Sequence, residues 1–358
     1  MWSKELPTKH HRMQLPREIL IGDNVTDLTA EICRRLGFKD SAFLVTGEKT
    51  FEILGKKIRD HLQDAGFETK FHIARLTTAD EVKSIEAEIS EFMPEVVFGI
   101  GGGSKIDLAK FSSAELHIPF ISVPSSASHD GIASPVASLD FLGKPYSVMA
   151  QSPIAIIVDT EVIINSPYRL IASGCGDVLA KFTAVRDWRL AHSIKNEYYG
   201  EYAANLAELG ARHIVKNAKS IKPNNKEGLR ILLEALISCG VSMGIAGSSR
   251  PCSGSEHLFS HALKKLRKTP PLHGESCGVG TILMAYLHGI DWKKIRETLR
   301  EVGAPTTAED LGIDPEVIVE AILLAKDIRP ERFTILNLKK LDYREARRIA
   351  IETGVIEH

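Results

Sequence analysis

Two groups of residues in this sequence have types and spacings that could do chemistry. The first is a run of glycines. Gly99, Gly101, Gly102 and Gly103 end the apolar run EVVFGIGGG and lead into SKIDLAKFSSAEL, which has a helical pattern. Glycines at a strand-to-helix turn let the backbone approach a ligand closely, and the unpaired N–H groups at the helix start face an anion. This turn is therefore a candidate phosphate site. Its spacing is not G-x-G-x-x-G, because Ser104 stands where the last glycine would be and the turn follows the third strand of the series below. A standard dinucleotide fingerprint is absent. A tight turn without ligand is the competing reading, but four glycines in five positions exceed what such a turn requires. A second loop of small and hydroxyl-bearing residues, from Pro124 through Ser125, Ser126, Ala127, Ser128, His129 and Asp130 to Gly131, follows the next apolar run. In open α/β sheets ligands sit beyond the carboxyl ends of the strands, so both loops would lie at the same edge. Hydroxyl-rich turns are also common as plain turns.

The second group is built on histidine. Of thirteen histidines, three fall within SGSEHLFSHALKKLRKTPPLHGES. His257 and His261 are four residues apart and share a helix face, while His273 follows a Pro-Pro turn. Two imidazoles at that spacing can bind one divalent ion. A solvated or hydrogen-bonded pair is the commoner meaning of such spacing, but the third histidine favours a metal. A three-ligand open site also needs a carboxylate, and Asp177 in SGCGDVLAKF is the candidate. Capping the start of a helix is its competing role, and spacing does not choose between them. Lys181, Arg250, Lys264, Lys265 and Arg267 are cations near these motifs; each is read first as a solvated surface charge. No G-x-S-x-G elbow, Walker-type phosphate loop or H-E-x-x-H motif is present.

The elements that must position these residues alternate. SAFLVTG, FHIARL, EVVFGIGGG and IPFISVPSS read as strands, separated by the helical stretches KTFEILGKKIRDHLQDAGF, TTADEVKSIEAEISEF and SKIDLAKFSSAEL. Strands separated by helices of this length form βαβ units and a mostly parallel, helix-covered sheet. A hairpin is expected around Gly143, Lys144 and Pro145, and SPIAIIVDTEVII reads as one more strand. Beyond Pro167 long helical patterns take over, including GDVLAKFTAVRDWRLAHSI, EYAANLAELGARHIVKNAKSI, KEGLRILLEALISCGVSMGIAG, EHLFSHALKKLRK and PEVIVEAILLAK. The expected organisation is an α/β dinucleotide-binding domain over residues 1–166 and an all-α domain over residues 167–358.

Composition removes several classes of function. Among 358 residues, 45 Lys+Arg balance 46 Asp+Glu, which leaves no long-range field to capture nucleic acid or an anionic membrane. No run of about 18 uncharged apolar residues marks an integral membrane segment. Five scattered cysteines without a C-x-x-C pair point to a reducing compartment, and MWSKELPTKHHRMQLPR has no apolar signal region. A cytoplasmic enzyme is the expectation. The N-terminal stretch reads as a solvated arm, and the apolar surfaces of the helical half suit a homo-oligomer.

Taken together, GIGGGSKIDLAK, SVPSSASHDGIASP, SGCGDVLAKF and EHLFSHAL followed by LHGESCGVG resemble the archaeal sn-glycerol-1-phosphate dehydrogenases. These belong with dehydroquinate synthases, glycerol dehydrogenases and iron-containing alcohol dehydrogenases, and the resemblance extends from LPREILIG to the closing ETGVI. It implies a Rossmann-like N-terminal domain, an all-α C-terminal domain and reduction of dihydroxyacetone phosphate to sn-glycerol 1-phosphate, the glycerol backbone of archaeal membrane lipids, by NADH or NADPH. It implies that Gly103, Ser104, Lys105, Ile106, Asp107, Ser125, Ser126, Ala127, Ser128 and Ser134 bind the nicotinamide cofactor. It also implies one zinc ion on Asp177, His257 and His273, with Asp130, Asp177 and His261 on the substrate and in catalysis. On this basis the i, i+4 pair divides, His257 going to metal and His261 to substrate. The alternative within the same superfamily is a metal-dependent dehydrogenase of glycerol or other polyols.

Overall fold

The computed structural model describes residues 11–141 and 144–357. The first ten residues of the expected N-terminal arm, and Gly143 of the expected hairpin turn, lie outside them. The chain divides into two compact units. One comprises residues up to 127 with 131–166 and 243–248; the other comprises 128–130, 167–242 and 249 onward.

In the first unit, β1 (Glu18–Gly22), β2 (Ser41–Thr46), β3 (Glu68–Ile73), β4 (Val96–Gly101), β5 (Phe120–Pro124) and β8 (Ala155–Asp159) form one sheet in the order β1-β8-β5-β4-β2-β3. Every pairing in it is parallel. Its central strands are the apolar runs SAFLVT, VVFGIG and FISVP, buried on both faces as parallel strands under helices must be. Phe43, Phe98 and Phe120 lie wholly inside, each worth roughly 1.5–3 kcal/mol of burial. Helices α1 (Thr29–Leu36), α2 (Lys56–Asp64), α3 (Ala79–Phe92) and α4 (Gly103–Glu115) connect the strands. β6 (Val136–Phe141) and β7 (Lys144–Met149) pair antiparallel as a separate ribbon.

Two departures from the sequence reading have local causes. β3 runs over Glu68–Ile73, three residues earlier than FHIARL implies. Gly66, at a φ of +89°, closes the preceding helix early, and the N–H groups of Arg75 and Leu76 donate to the Glu81 carboxylate at 3.0 and 3.3 Å. That carboxylate withdraws both residues from the ladder. β1 and α1 precede the series the sequence reading began with; EILIG is a short, half-exposed edge strand without a long apolar run.

The second unit is helical: α5 (Tyr168–Leu179), α6 (Lys181–Lys195), α7 (Glu201–Asn217), α8 (Lys226–Ala246, whose last residues join the first unit), α9 (Ser255–Leu266), α10 (His273–Leu287), α11 (Trp292–Glu301), α12 (Pro315–Ile328) and α13 (Tyr343–Glu352). The single helix expected over GDVLAKFTAVRDWRLAHSI is two, broken at Ala180. Thr183 donates to the Ala180 carbonyl through both its N–H (3.1 Å) and its Oγ1 (3.0 Å), the back-bonding that bends helices. α8 is long and apolar enough to cross a membrane, yet it carries Arg230 and Glu234 and 67% of its apolar window is buried in protein. That is the pattern of a core helix.

Candidate active site and metal centre

Three helices of the second unit bring four donor side chains together. Asp177 stands on α5, His257 on α9, and His273 and Cys277 on α10. One ligand atom from each lies within 4.8 Å of the other three. Asp177 Oδ1 is 3.6 Å from His257 Nε2 and 3.7 Å from His273 Nε2, and Cys277 Sγ is 3.6 Å from His273 Nε2.

Glycine makes this convergence possible. A Cβ on Gly176 would stand 2.2 Å from the Gly274 carbonyl oxygen, and one on Gly274 would stand 1.9 Å from that of Ser173. The α5 and α10 backbones are therefore in contact, which sets Asp177 beside His273. Gly280 does the same between α10 and α9, where a Cβ would lie 3.0 Å from the Glu256 carbonyl oxygen. These glycines depress helix propensity, which is why α5 reads poorly from RLIASGCGD and His273 reads as part of a turn. His273 is instead the first residue of α10. Asp177 lies near the end of α5, so the capping role is removed.

Buried carboxylates fix the ends of these helices. Glu275 accepts from the Leu272 N–H (3.0 Å) and forms a bidentate pair with Arg169 on α5 (2.5 and 2.8 Å). Asp187 on α6 accepts from the N–H and Oγ of Ser255 at 2.7 and 2.6 Å, holding the start of α9. Glu256 accepts from the Gly254 N–H and Thr183 Oγ1, both at 2.6 Å, and lies 2.8 Å from His257 Nδ1. His257 thus has the carboxylate–histidine arrangement of a metal ligand; burial lowers its imidazole, but Cys277, Asp177 and Glu256 outweigh that and hold it well above the ordinary range.

Asp177 carries most of the site's electrostatics. Its Oδ2 accepts from the Asp130 N–H at 2.9 Å. The wholly buried Lys181 ammonium lies 2.8 Å from Asp130 Oδ2 and 3.2 Å from Asp177 Oδ1, as ion pairs off the hydrogen-bonding direction. Burial opposes ionisation of Asp177, but the charge of Lys181 and the two imidazoles outweigh it and hold the carboxyl well below the usual range. Lys181 is held well above its usual range in turn: Asp130 and Asp177 outweigh its burial. Loss of solvation among its close neighbours and the adjacent His257 push His273 down, although part of its side chain stays accessible. Asp177 Oδ1 is buried with no hydrogen-bond donor. It pairs electrostatically with Lys181 at 3.2 Å, and a cation among these donors would displace no hydrogen bond from it. One carboxylate, two imidazoles and a thiol are a donor set that fits a divalent ion of the zinc type. His273 keeps 38% of its side chain accessible, which leaves the donor group an open side.

His261 is partly buried, its ring centre 6.3 Å from that of His273, and it is not among the four converging donors. Burial first, with His273 and Arg329 close by, lowers it well below the ordinary imidazole range. Two of the cations read as surface charges are buried. Besides Lys181, Arg250 is 5% exposed and pairs with Glu197 (Nε to Oε1 2.6 Å). Lys264 and Lys265 are exposed and Arg267 is partly so. Cys277 and Glu256 escaped the sequence reading. Cys277 follows His273 by four residues, the same spacing that drew attention to His257 and His261.

In the first unit, the glycine turn and the hydroxyl-rich loop are neighbours. Gly101 pairs with Pro124 in register, and the Ser125 N–H donates to the Gly101 carbonyl at 2.9 Å. Gly102 caps α4 with no side chain in the way, and a Cβ there would meet nothing within 4 Å. Gly103, Ser104, Lys105 and Ser125 are at least partly exposed, while Ile106 and Ala127 are wholly buried and Ser126 nearly so. Asp107 accepts from the Ser138 N–H (3.0 Å) and from Lys110 Nζ (3.2 Å), and Ser134 Oγ donates to the Val136 carbonyl (3.2 Å). Ser128, in the second unit, accepts from Ser173 Oγ at its carbonyl, at 3.3 Å.

Residues 20–167 match the family model described as iron-containing alcohol dehydrogenase. The chain is 51% identical over 325 residues to a glycerol-1-phosphate dehydrogenase (NAD(P)+) of Methanosarcina acetivorans, covering 91% of each chain. It is 50% identical over 346 residues to one of Thermococcus kodakarensis, covering 97% of this chain and 99% of that one. Among solved structures it resembles glycerol dehydrogenase from Schizosaccharomyces pombe, with a TM-score of 0.79 at 19% identity, covering 97% of this chain and 91% of that chain. That likeness speaks to the fold, an α/β unit joined to a helical one. With half of its residues identical over nearly its whole length, this chain belongs to the glycerol-1-phosphate dehydrogenase family.

Proposed function

We propose that this chain reduces dihydroxyacetone phosphate to sn-glycerol 1-phosphate with NADH or NADPH, aided by a divalent ion on Asp177, His257 and His273, which the family resemblance, and not the donor set, makes zinc. The observation that carries this reading is the buried Asp177 Oδ1, which accepts no hydrogen bond and faces two imidazole nitrogens. The names of the half-identical relatives supply the substrate and the cofactor class. When bound, such an ion would polarise the ketone and stabilise charge on its oxygen as hydride arrives from the nicotinamide.

The chain's own residues do the rest. Gly102, Gly103 and Ser104 offer N–H groups at the start of α4 to the cofactor's phosphates. Lys105, Ile106, Asp107, Ser125, Ser126, Ala127, Ser128 and Ser134 shape the surrounding loops, the buried ones among them by holding backbone in place. Asp130 and Lys181 orient Asp177, and Asp130 stands with it as a substrate contact. His261, beside His273, orients the substrate hydroxyls or passes the proton that completes reduction. Arg329, close enough for its charge to act on His261, is our candidate for the substrate phosphate. Residues 1–166 hold the cofactor and 167–358 the metal and substrate in this reading. The protein acts on a small molecule, in the cytoplasm, as a homo-oligomer.

One assay tests it. The protein is incubated with dihydroxyacetone phosphate and each reduced cofactor, with and without a chelator, and product chirality is read with an enantiospecific enzyme. Chelator-sensitive formation of sn-glycerol 1-phosphate is expected. The sn-3 product, or preference for unphosphorylated dihydroxyacetone, would overturn the reading, and chelator-resistant turnover would remove the ion from it.

A further inference from the structure

We propose that Lys105 recognises the 2′-phosphate of NADPH, and that the chain binds NADPH more tightly than NADH; this rests on the cofactor reading above, which does not choose between the two. In doubly wound sheets, the strand beside the glycine-turn strand ends at the adenosine ribose. An acid there holds the ribose 2′-hydroxyl of NAD, whereas a nearby cation accommodates the 2′-phosphate of NADP. Here the glycine turn ends β4, and β2 lies beside it with Thr46 opposite Ile100. The residue that follows β2 is therefore the one to inspect, and it is Gly47.

Gly47 offers no carboxylate, and a lysine stem lies against it. A Cβ on Gly47 would stand 3.1 Å from Lys105 Cε and 3.8 Å from its Cδ, and one on Gly101 would stand 3.3 Å from Lys105 Cβ and Cγ. The Lys105 side chain thus runs from the first turn of α4 across Gly101 to the end of β2. Gly47 has φ −106° and ψ 166°, extended backbone that any residue adopts, so conformation does not demand glycine there. What the missing Cβ provides is room for the lysine.

The Lys105 ammonium is not committed elsewhere. Among the described residues, no carboxylate oxygen lies within 4 Å of it. Burial lowers its pKa and the charge of Glu81 opposes that, but the Glu81 carboxylate is already engaged. It accepts from the N–H groups of Arg75 and Leu76 at 3.0 and 3.3 Å and lies 3.0 Å from His72 Nε2. Glu48 and Lys49, which follow Gly47, are exposed and cancel in charge. A phosphate beside Gly47 would meet a half-buried ammonium free to make a charge-assisted hydrogen bond. The competing account is that Lys105 is a solvated charge at the rim of the glycine turn, indifferent to the 2′ position.

Calorimetric titration of the purified full-length protein with NADPH and with NADH, in the unaltered chain, Lys105→Gln and Gly47→Asp, separates the two. NADPH should bind the unaltered chain roughly tenfold more tightly or better, the value of a charged hydrogen bond. Lys105→Gln should shrink the ratio of the two dissociation constants toward one. Gly47→Asp, which puts a carboxylate at the ribose, should reverse it. Equal affinities in the unaltered chain, a ratio that survives Lys105→Gln, or a Gly47→Asp protein that still prefers NADPH overturns the proposal and leaves the cofactor reading intact. Failure of the unaltered chain to bind either dinucleotide brings down that reading and this proposal with it. Should Gly47→Asp not fold, the ratio in Lys105→Gln, a substitution at a partly exposed side chain, decides.

Discussion

At the scale of single residues, chemistry depends on what each donor is prevented from doing elsewhere. His257 can present Nε2 because Glu256 occupies its Nδ1 at 2.8 Å. Glu256→Gln should weaken metal affinity about 10–100-fold, as loss of a ligand's supporting carboxylate usually does, read by titration against a competing chelator. Arg329 offers a second test. Replacing it with Ala should lower kcat/KM for dihydroxyacetone phosphate roughly tenfold or more, the value of a charged hydrogen bond, and leave turnover of dihydroxyacetone little changed. Equal losses on both substrates would refute a phosphate role. Asp177, His257 and His273 could be named together from the family motifs in the sequence, whereas spacing alone pairs His257 with His261. Glu256 and Cys277 could not, because a buried glutamate and a buried cysteine look like any others until their neighbours are known. Lys181 was misjudged for the same reason: lysines are seldom buried, and only two carboxylates from separate segments make it so.

Among the elements, glycine serves opposite ends, and stability separates them. A Cβ on Gly99 would stand 2.8 Å from Phe120 and 3.1 Å from the Ile106 backbone, so this glycine lets α4 lie against β4. Gly102 borders open space with ordinary dihedrals, φ −73° and ψ 172°. Gly99→Ala should therefore lower stability by about 1–3 kcal/mol through overpacking. Gly102→Ala should change stability by less than about 0.5 kcal/mol while raising KM for the reduced cofactor. Paired denaturant melts and cofactor titrations check both, and a Gly102→Ala protein with unchanged cofactor affinity would argue against a phosphate at that turn. The βαβ rhythm from Ser41 onward was readable because buried parallel strands are continuous apolar runs. α5 and the start of α10 were not, because their glycines signal turns locally and are kept in helices only by the packing they permit.

Across the molecule, binding and folding are linked. A cation that binds the folded donors and not the unfolded chain stabilises by about 2.7 kcal/mol at a hundredfold excess over its Kd. Zinc should raise the melting temperature of metal-stripped protein, and Asp177→Asn should abolish that rise; calorimetry with and without zinc reads it. A rise that survives in Asp177→Asn would place the cation elsewhere. By itself the sequence determined the alternating α/β half, the helical half, the glycine turn proposed for phosphate and the candidate ligands. Those follow from periodicity, from residue chemistry and from motifs contiguous in the chain. Only the tertiary structure decided which residues meet. The donors stand at 177, 257, 273 and 277, separated by up to a hundred residues, and helix contacts through Gly176, Gly274 and Gly280 set their distances. Local sequence carries no record of that approach, because the missing side chains that permit it belong to helices far apart in the chain.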